Sequence, residues 1–192
     1  MADPARKLAT YEDVLAAPPN VIAEVIFGTI YTQPRPAGPH ANAASVLGMD
    51  IGGAFHRGRG GPGGWVILDE PELHLGDDIL VPDIAGWRRE RMAEAPPTAF
   101  ISLAPDWVCE VLSPSTEAID RSEKMAIYAR EGVAHAWLVQ PLVRVLEVYR
   151  RQGTAWLRVG AWYDGAVVRG EPFDAIELEL GALWVSSTSP NP

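Results

Sequence analysis

The sequence predicts an α/β (or α+β) fold with a mixed central β-sheet flanked by helices. Three observations carry this. Residues 107–112 and 136–139 are short, nearly continuous apolar runs, and residues 117–131 between them read as a helix, so the unit has the pattern of a strand–helix–strand crossover. The segments around it are β-rich and joined by turn residues, which reads as antiparallel hairpins. The composition, 47% hydrophobic and 21% charged, is that of an ordinary globular chain and excludes a disordered, collagen-like or coiled-coil protein. At 192 residues the prior is one domain, with a core expected over residues 10–184 and a flexible tail over 185–192.

The elements follow in chain order. Residues 10–17 read as a short helix with Thr10 as N-cap, Asp13 three positions on, and Pro18-Pro19 as the stop. Residues 21–27 and 30–32 make a hairpin around the turn at Gly28-Thr29. Residues 41–55 are small and apolar and suit a packed helix, although Gly48, Gly52 and Gly53 weaken it. The Gly-rich stretch 58–64 reads as a mobile loop; no Gly-Lys-Ser/Thr follows it, so it is not a Walker loop. Residues 65–68, 72–75 and 79–87 read as strands. In the helix over 117–131, Ile119, Ala126 and Ile127 share one face at helical spacing, with Gly132 placed as a left-handed C-cap. Residues 143–150 alternate, and a meander runs to about residue 168.

Charge and composition narrow the function. There are 16 Lys+Arg against 25 Asp+Glu, a net charge of −9, whereas a protein that grips nucleic acid by its phosphates usually shows a basic footprint. A nucleic-acid reading therefore needs a local basic patch, or metal ions that screen carboxylates. Arg57 with Arg59, Arg88 with Arg89 and Arg91, and Arg144 with Arg150 and Arg151 are the candidate patches. One cysteine, Cys109, excludes multi-cysteine zinc sites and internal disulfides. The N-terminus lacks the apolar region of a signal peptide, and no run of about 18 uncharged apolar residues is present. A cytoplasmic protein with no membrane span is the expectation.

The informative residues are acids inside apolar strands: Glu24 in VIAEVIF, Asp83 in ILVPDIAGW and Glu110 in WVCEVLS. A carboxylate buried without a partner costs several kcal/mol or takes up a proton. A divalent ion such as Mg²⁺ is the partner that tolerates several together, because it takes oxygen ligands. Asp120 and Lys124 are four apart on the predicted helix, hence on one face. That spacing fits a lysine swung toward a metal site; on spacing alone it fits a surface ion pair better.

Pro82-Asp83 followed by Glu110-Val111-Leu112-Ser113 resembles the PD-(D/E)XK nuclease superfamily. The longer phrase EVLSPSTEAIDRSEKMAIYAREGVAHAWLV, residues 110–139, is similar to the Uma-type restriction-endonuclease-like family of bacterial proteins, and TYEDVLAAP and the PxPxGPH ending at His40 fit as well. The resemblance covers roughly residues 10–184 and implies a restriction-endonuclease-like fold and a nuclease acting on DNA. It implies Glu24, Asp83 and Glu110 as metal ligands for Mg²⁺ (or Mn²⁺), with Lys124 completing the catalytic set from the helix, since Leu112 stands where the superfamily lysine would be. His40 matches a histidine that precedes the first long helix, and Tyr128 a helix tyrosine. Asp120 and Gln140 are further candidates toward substrate; Gln140 stands where the family phrase Val-Asp-Pro has its aspartate. A homodimer that frames the substrate is the expected assembly. Two other readings stay open: a non-catalytic module that kept the fold, and a metal-dependent hydrolase of a small phosphorylated substrate.

Overall fold

The computed structural model describes residues 8–185. The tail expected beyond residue 184 falls, from residue 186 on, outside the described residues. The order of elements is α1 (Tyr11–Leu15), β1 (Val21–Ile26), β2 (Thr29–Pro34), α2 (Gly38–Ile51), β3 (Trp65–Asp69), β4 (Leu73–Leu75), β5 (Asp78–Leu80), β6 (Ile84–Arg88), β7 (Trp107–Val111), a broken helix α3 over 117–130, β8 (His135–Gln140), β9 (Val145–Gln152), β10 (Ala155–Tyr163), β11 (Val167–Val168) and β12 (Leu178–Glu179).

Six strands form a sheet in the order β10-β9-β8-β7-β6-β3, and four form a second in the order β2-β1-β5-β4. Within the larger sheet only β7 and β8 run parallel, joined through α3, so the expected crossover is present in a mixed sheet. Both central strands are almost wholly buried, which is why they read as continuous apolar runs. The larger sheet carries a core on each face. On one face Ala43, Leu47 and Ile51 of α2 pack with Trp107, Cys109 and Val111. On the other, Val108 and Leu112 pack with Ile127 and Tyr128 of α3 and with Ile26 and Leu80 of the smaller sheet. Side chains alternate along a strand, so Glu110 belongs to the face that holds α3 and β1, and Cys109 to the opposite one.

Several elements depart from the sequence reading for identifiable reasons. Residues 79–87 are not one strand. Pro82 offers no N–H, and the run breaks into β5 and β6, which belong to different sheets. Asp83 sits at the break. The first hairpin turns on Phe27-Gly28 rather than Gly28-Thr29, with both central residues at positive φ (47° and 72°) and Ile26 opposite Thr29. Helix α2 begins at Gly38, because Pro39 suits a first helical turn. His40 thus lies inside the helix and not before it. A π-helical turn, Gly52–His56, extends α2, and residues 58–64 connect it to β3 irregularly.

The largest departure is in α3. A π-helical turn, Asp120–Lys124, interrupts it between Glu117–Ile119 and Met125–Arg130. The extra residue shifts the helical phase, so Ile127 and not Ala126 falls on the face of Ile119. Ile127 is fully buried and Ala126 is exposed. The helix ends as expected: Gly132 has φ 86°, and the Val133 N–H bonds the Tyr128 carbonyl at 2.9 Å, a Schellman cap. No helix among the described residues is long and apolar enough to cross a membrane.

Candidate active site

Lys124 is the hub. Its ammonium lies 3.0 Å from Glu24 Oε1, 2.9 Å from Glu110 Oε1 and 3.6 Å from Asp120 Oδ1. Three elements supply these groups: β1 of the smaller sheet, β7 of the larger sheet and the π-turn of α3. Lys124 is 1% exposed and Asp120 4%, so the pair is buried and is not the surface pair that its spacing favours. The π-turn widens the helix where it must turn both a lysine and an aspartate inward, as such bulges often do at functional sites.

Each acid is also fixed by a neutral donor. Tyr128 Oη donates to Glu110 Oε1 at 2.5 Å. The Val81 N–H donates to Glu24 Oε1 at 2.8 Å, and Gln33 Nε2 to Glu24 Oε2 at 3.3 Å. Asp83 continues the antiparallel register in which Ile84 faces Cys109, which brings it opposite Glu110. One of its oxygens accepts the Val111 N–H at 2.7 Å, and the other lies 2.5 Å from His40 Nε2. Gln140 stands apart from Lys124: it donates to Glu117 Oε2 at 3.0 Å and accepts from the Leu142 N–H.

The charges do not balance inside this cluster. Three carboxylates, Glu24, Glu110 and Asp120, gather beside one ammonium, and a fourth, Asp83, stands opposite Glu110. Burial pushes the Glu110 carboxyl well above its usual range; Lys124 opposes this, and Asp120, Asp83 and Glu24 add to it. Burial raises Asp120 as well, against Lys124 and a hydrogen bond with Thr116. Burial alone would lower Lys124, but Glu110 and Glu24 outweigh it and hold the ammonium well above an ordinary lysine. A charged lysine amid surplus acid is therefore the stable state.

Asp83, Glu110, Asp120 and His40 line one cavity of about 310 Å³, closed mainly by apolar and proline side chains. Among the described residues no group of three or more His, Cys, Asp or Glu stands ready-made as a metal cage. The donor set nonetheless suits a hard divalent ion: it is all oxygen, it carries excess negative charge, and both close partners of Glu110 share Oε1 and leave Oε2 out of their contacts.

The remaining candidates fall elsewhere. His56 bonds the backbone of Ile67, and His74 pairs with Glu72 and stacks on Phe100. Cys109 is fully buried and burial pushes its thiol up, so it packs as a small hydrophobe. Of the arginine patches, Arg91 pairs with Asp106, Arg144 with Asp164 and Arg150 with Glu171. The sequence reading missed Gln33, Val81, Arg35 and Glu70. Gln33 had a signal: a two-residue turn at 27–28 sets Ile22 opposite Gln33, which puts Gln33 on the face of Glu24.

A family model described as "Uma2: Putative restriction endonuclease" matches residues 8–181. Among solved structures, the chain is similar to a protein from Anabaena variabilis ATCC 29413 described as "a putative nuclease belonging to DUF820". The TM-score is 0.73 at 24% identity, over 91% of this chain and 97% of that one. The fold is thus the restriction-endonuclease-like one that the sequence predicts. Among curated proteins none matches this chain.

Proposed function

The chain belongs to the Uma2 family, and on that premise we propose that it is a Mg²⁺- or Mn²⁺-dependent endonuclease that hydrolyses DNA phosphodiester bonds. One observation carries the reading: Glu24, Glu110 and Asp120, remote in sequence, surround a buried ammonium, and Glu110 and Asp120 share a cavity wall with Asp83.

Asp83, Glu110 and Glu24 are the oxygen donors that would hold the ion. A divalent ion there supplies Lewis-acid polarisation of a phosphoryl oxygen and a more acidic water. His40 and the Val111 N–H orient Asp83, and Tyr128 orients Glu110. Lys124, behind Glu110, acts on the phosphate through its field and not by contact as negative charge builds there, and Glu24 holds that ammonium in place. Asp120 steadies Lys124 from within the same helical turn. A homodimer is the form in which two such acidic molecules would frame a duplex, and a monomer by light scattering would remove that part. A cytoplasmic location accords with the one buried thiol.

The test is cleavage of supercoiled plasmid with Mg²⁺ or Mn²⁺. Wild type is expected to nick it, and Asp83→Ala and Lys124→Ala are each expected to lose at least a hundredfold in rate (about 2.7 kcal/mol). Full cleavage by either variant overturns the assignment, and absence of Mg²⁺ binding by calorimetry would leave only a non-catalytic module. The size of the cavity favours one other reading, a hydrolase of small phosphorylated substrates. Hydrolysis of bis(p-nitrophenyl) phosphate without plasmid nicking would select it.

A further inference from the structure

Resting on the nuclease reading, we infer that Arg35 is the residue that binds a phosphate of the substrate at the mouth of the cleft, and that Glu70 holds it there until the substrate arrives. The cavity that contains Asp83, Glu110 and Asp120 has Glu70 in its wall too, so four carboxylates face it. Against them it presents one guanidinium, that of Arg35, besides the His40 ring already committed to Asp83. Lys124 is sealed behind Glu24 and Glu110. The one guanidinium a phosphodiester meets in the wall of this cavity is therefore that of Arg35.

The position of Arg35 suits that task. It follows the last residue of β2 and sits between Pro34 and Pro36, whose rings restrict the backbone and fix the direction from which the side chain leaves. Its side chain is 64% exposed, so it is open to a ligand. Its one ion-pair partner among the described residues is Glu70, with Nη1 to Oε2 at 3.7 Å and Glu70 itself 39% exposed. A pair this long and this exposed is weak, so a phosphate, which accepts two guanidinium bonds at once, displaces the carboxylate at small cost.

Glu70 is held more firmly. It occupies positive φ (45°), and its N–H donates to the Asp83 carbonyl at 3.0 Å. The residue that restrains Arg35 is thus tied to the backbone of the proposed metal ligand. Arg35, Glu70 and Asp83 also line a second cavity, so the pair belongs to the wall of both hollows.

The test is fluorescence anisotropy of a fluorescein-labelled duplex at low salt in EDTA, with the KM of plasmid nicking as second readout. Arg35→Ala is expected to weaken duplex binding about tenfold and to flatten the salt dependence by about one unit of slope. It is also expected to raise KM with kcat unchanged. Arg35→Lys is expected to retain part of the affinity, and Glu70→Gln to bind more tightly than wild type. Unchanged binding and KM in Arg35→Ala, or a wild type that does not bind the duplex at low salt, overturns the inference. Arg35-dependent binding by a wild type that never nicks DNA would keep the inference and remove the nuclease.

Discussion

At the residue scale the molecule is organised by one ammonium. Lys124 neutralises Glu24 and Glu110, which are 4% and 2% exposed, so removing its charge without its bulk should expose the cost of the acids. Lys124→Met is expected to lower stability at pH 7 by about 3–5 kcal/mol, as breaking a buried pair does. The loss should shrink at pH 5. Burial holds the Glu110 proton more tightly in the folded state than in the unfolded state, and without the lysine nothing opposes it. A group whose folded pKa is raised stabilises below its unfolded pKa, and that stability is lost as pH rises. Urea midpoints at the two pH values check this, and an equal loss at both would contradict it. The sequence disclosed the acids because a carboxylate among Val, Ile and Trp is anomalous on its face. Spacing alone did not settle Lys124, whose distance from Asp120 is the same for a solvated pair as for this buried one; the family resemblance named it. The resemblance named Tyr128 without a role, and Val81 was hidden for a simpler reason: a backbone N–H leaves no charge anomaly to read.

At the element scale the π-turn of α3 sets the site. It carries Asp120 and Lys124 at its two ends, and it turns Ala126 out while Ile127 stays buried with Ile119. Period-3.6 spacing puts Ala126 on that face along with Ile127, since a sequence gives no sign of one extra residue in a turn. Deleting the exposed Ser122 would restore a regular helix, but either Lys124 or the pair Ile127 and Tyr128 would then rotate off the core by roughly 100°, one residue's turn. The deletion is expected to lower the melting temperature by at least 10 °C and to abolish nicking, even with α-helical circular dichroism retained below the transition. A variant with native melting and activity would mean that the π-turn is incidental. The break at Pro82 makes the same point about strands. Apolar residues on both sides read as one run, yet the missing N–H ends β5 and starts β6 in another sheet, and that discontinuity leaves Asp83 at the end of a strand, free to face the cleft.

At the scale of the whole molecule, the net charge of −9 and the crowded acids pull in the same direction. Burial raises the carboxyl pKa values of Glu110, Asp120, Asp50 and Asp69, with added repulsion between Asp50 and Glu179. Each such group binds its proton more tightly folded than unfolded, so its ionisation destabilises the fold as pH rises through the raised pKa. Glu147 works the other way. Burial would raise it, but hydrogen bonds from Arg121 and Arg158 hold it below the usual range, so its contribution is present above its unfolded pKa and lost as pH falls through its folded one. The two signs predict a dome, with the melting temperature higher near pH 5.5 than at pH 8 and falling again below about pH 4. Surface repulsion also favours the lower pH, and salt separates the two contributions, because it screens exposed charges across a Debye length of about 8 Å and leaves buried ones nearly untouched. If the buried acids dominate, the gap between pH 5.5 and pH 8 survives 0.5 M NaCl. Mg²⁺ should close it from the alkaline side, raising the melting temperature more at pH 8, where fewer protons compete for the oxygens, than at pH 5.5. A gap that vanishes in salt and ignores Mg²⁺ would place the excess charge on the surface and leave the cleft without a claim to a divalent ion.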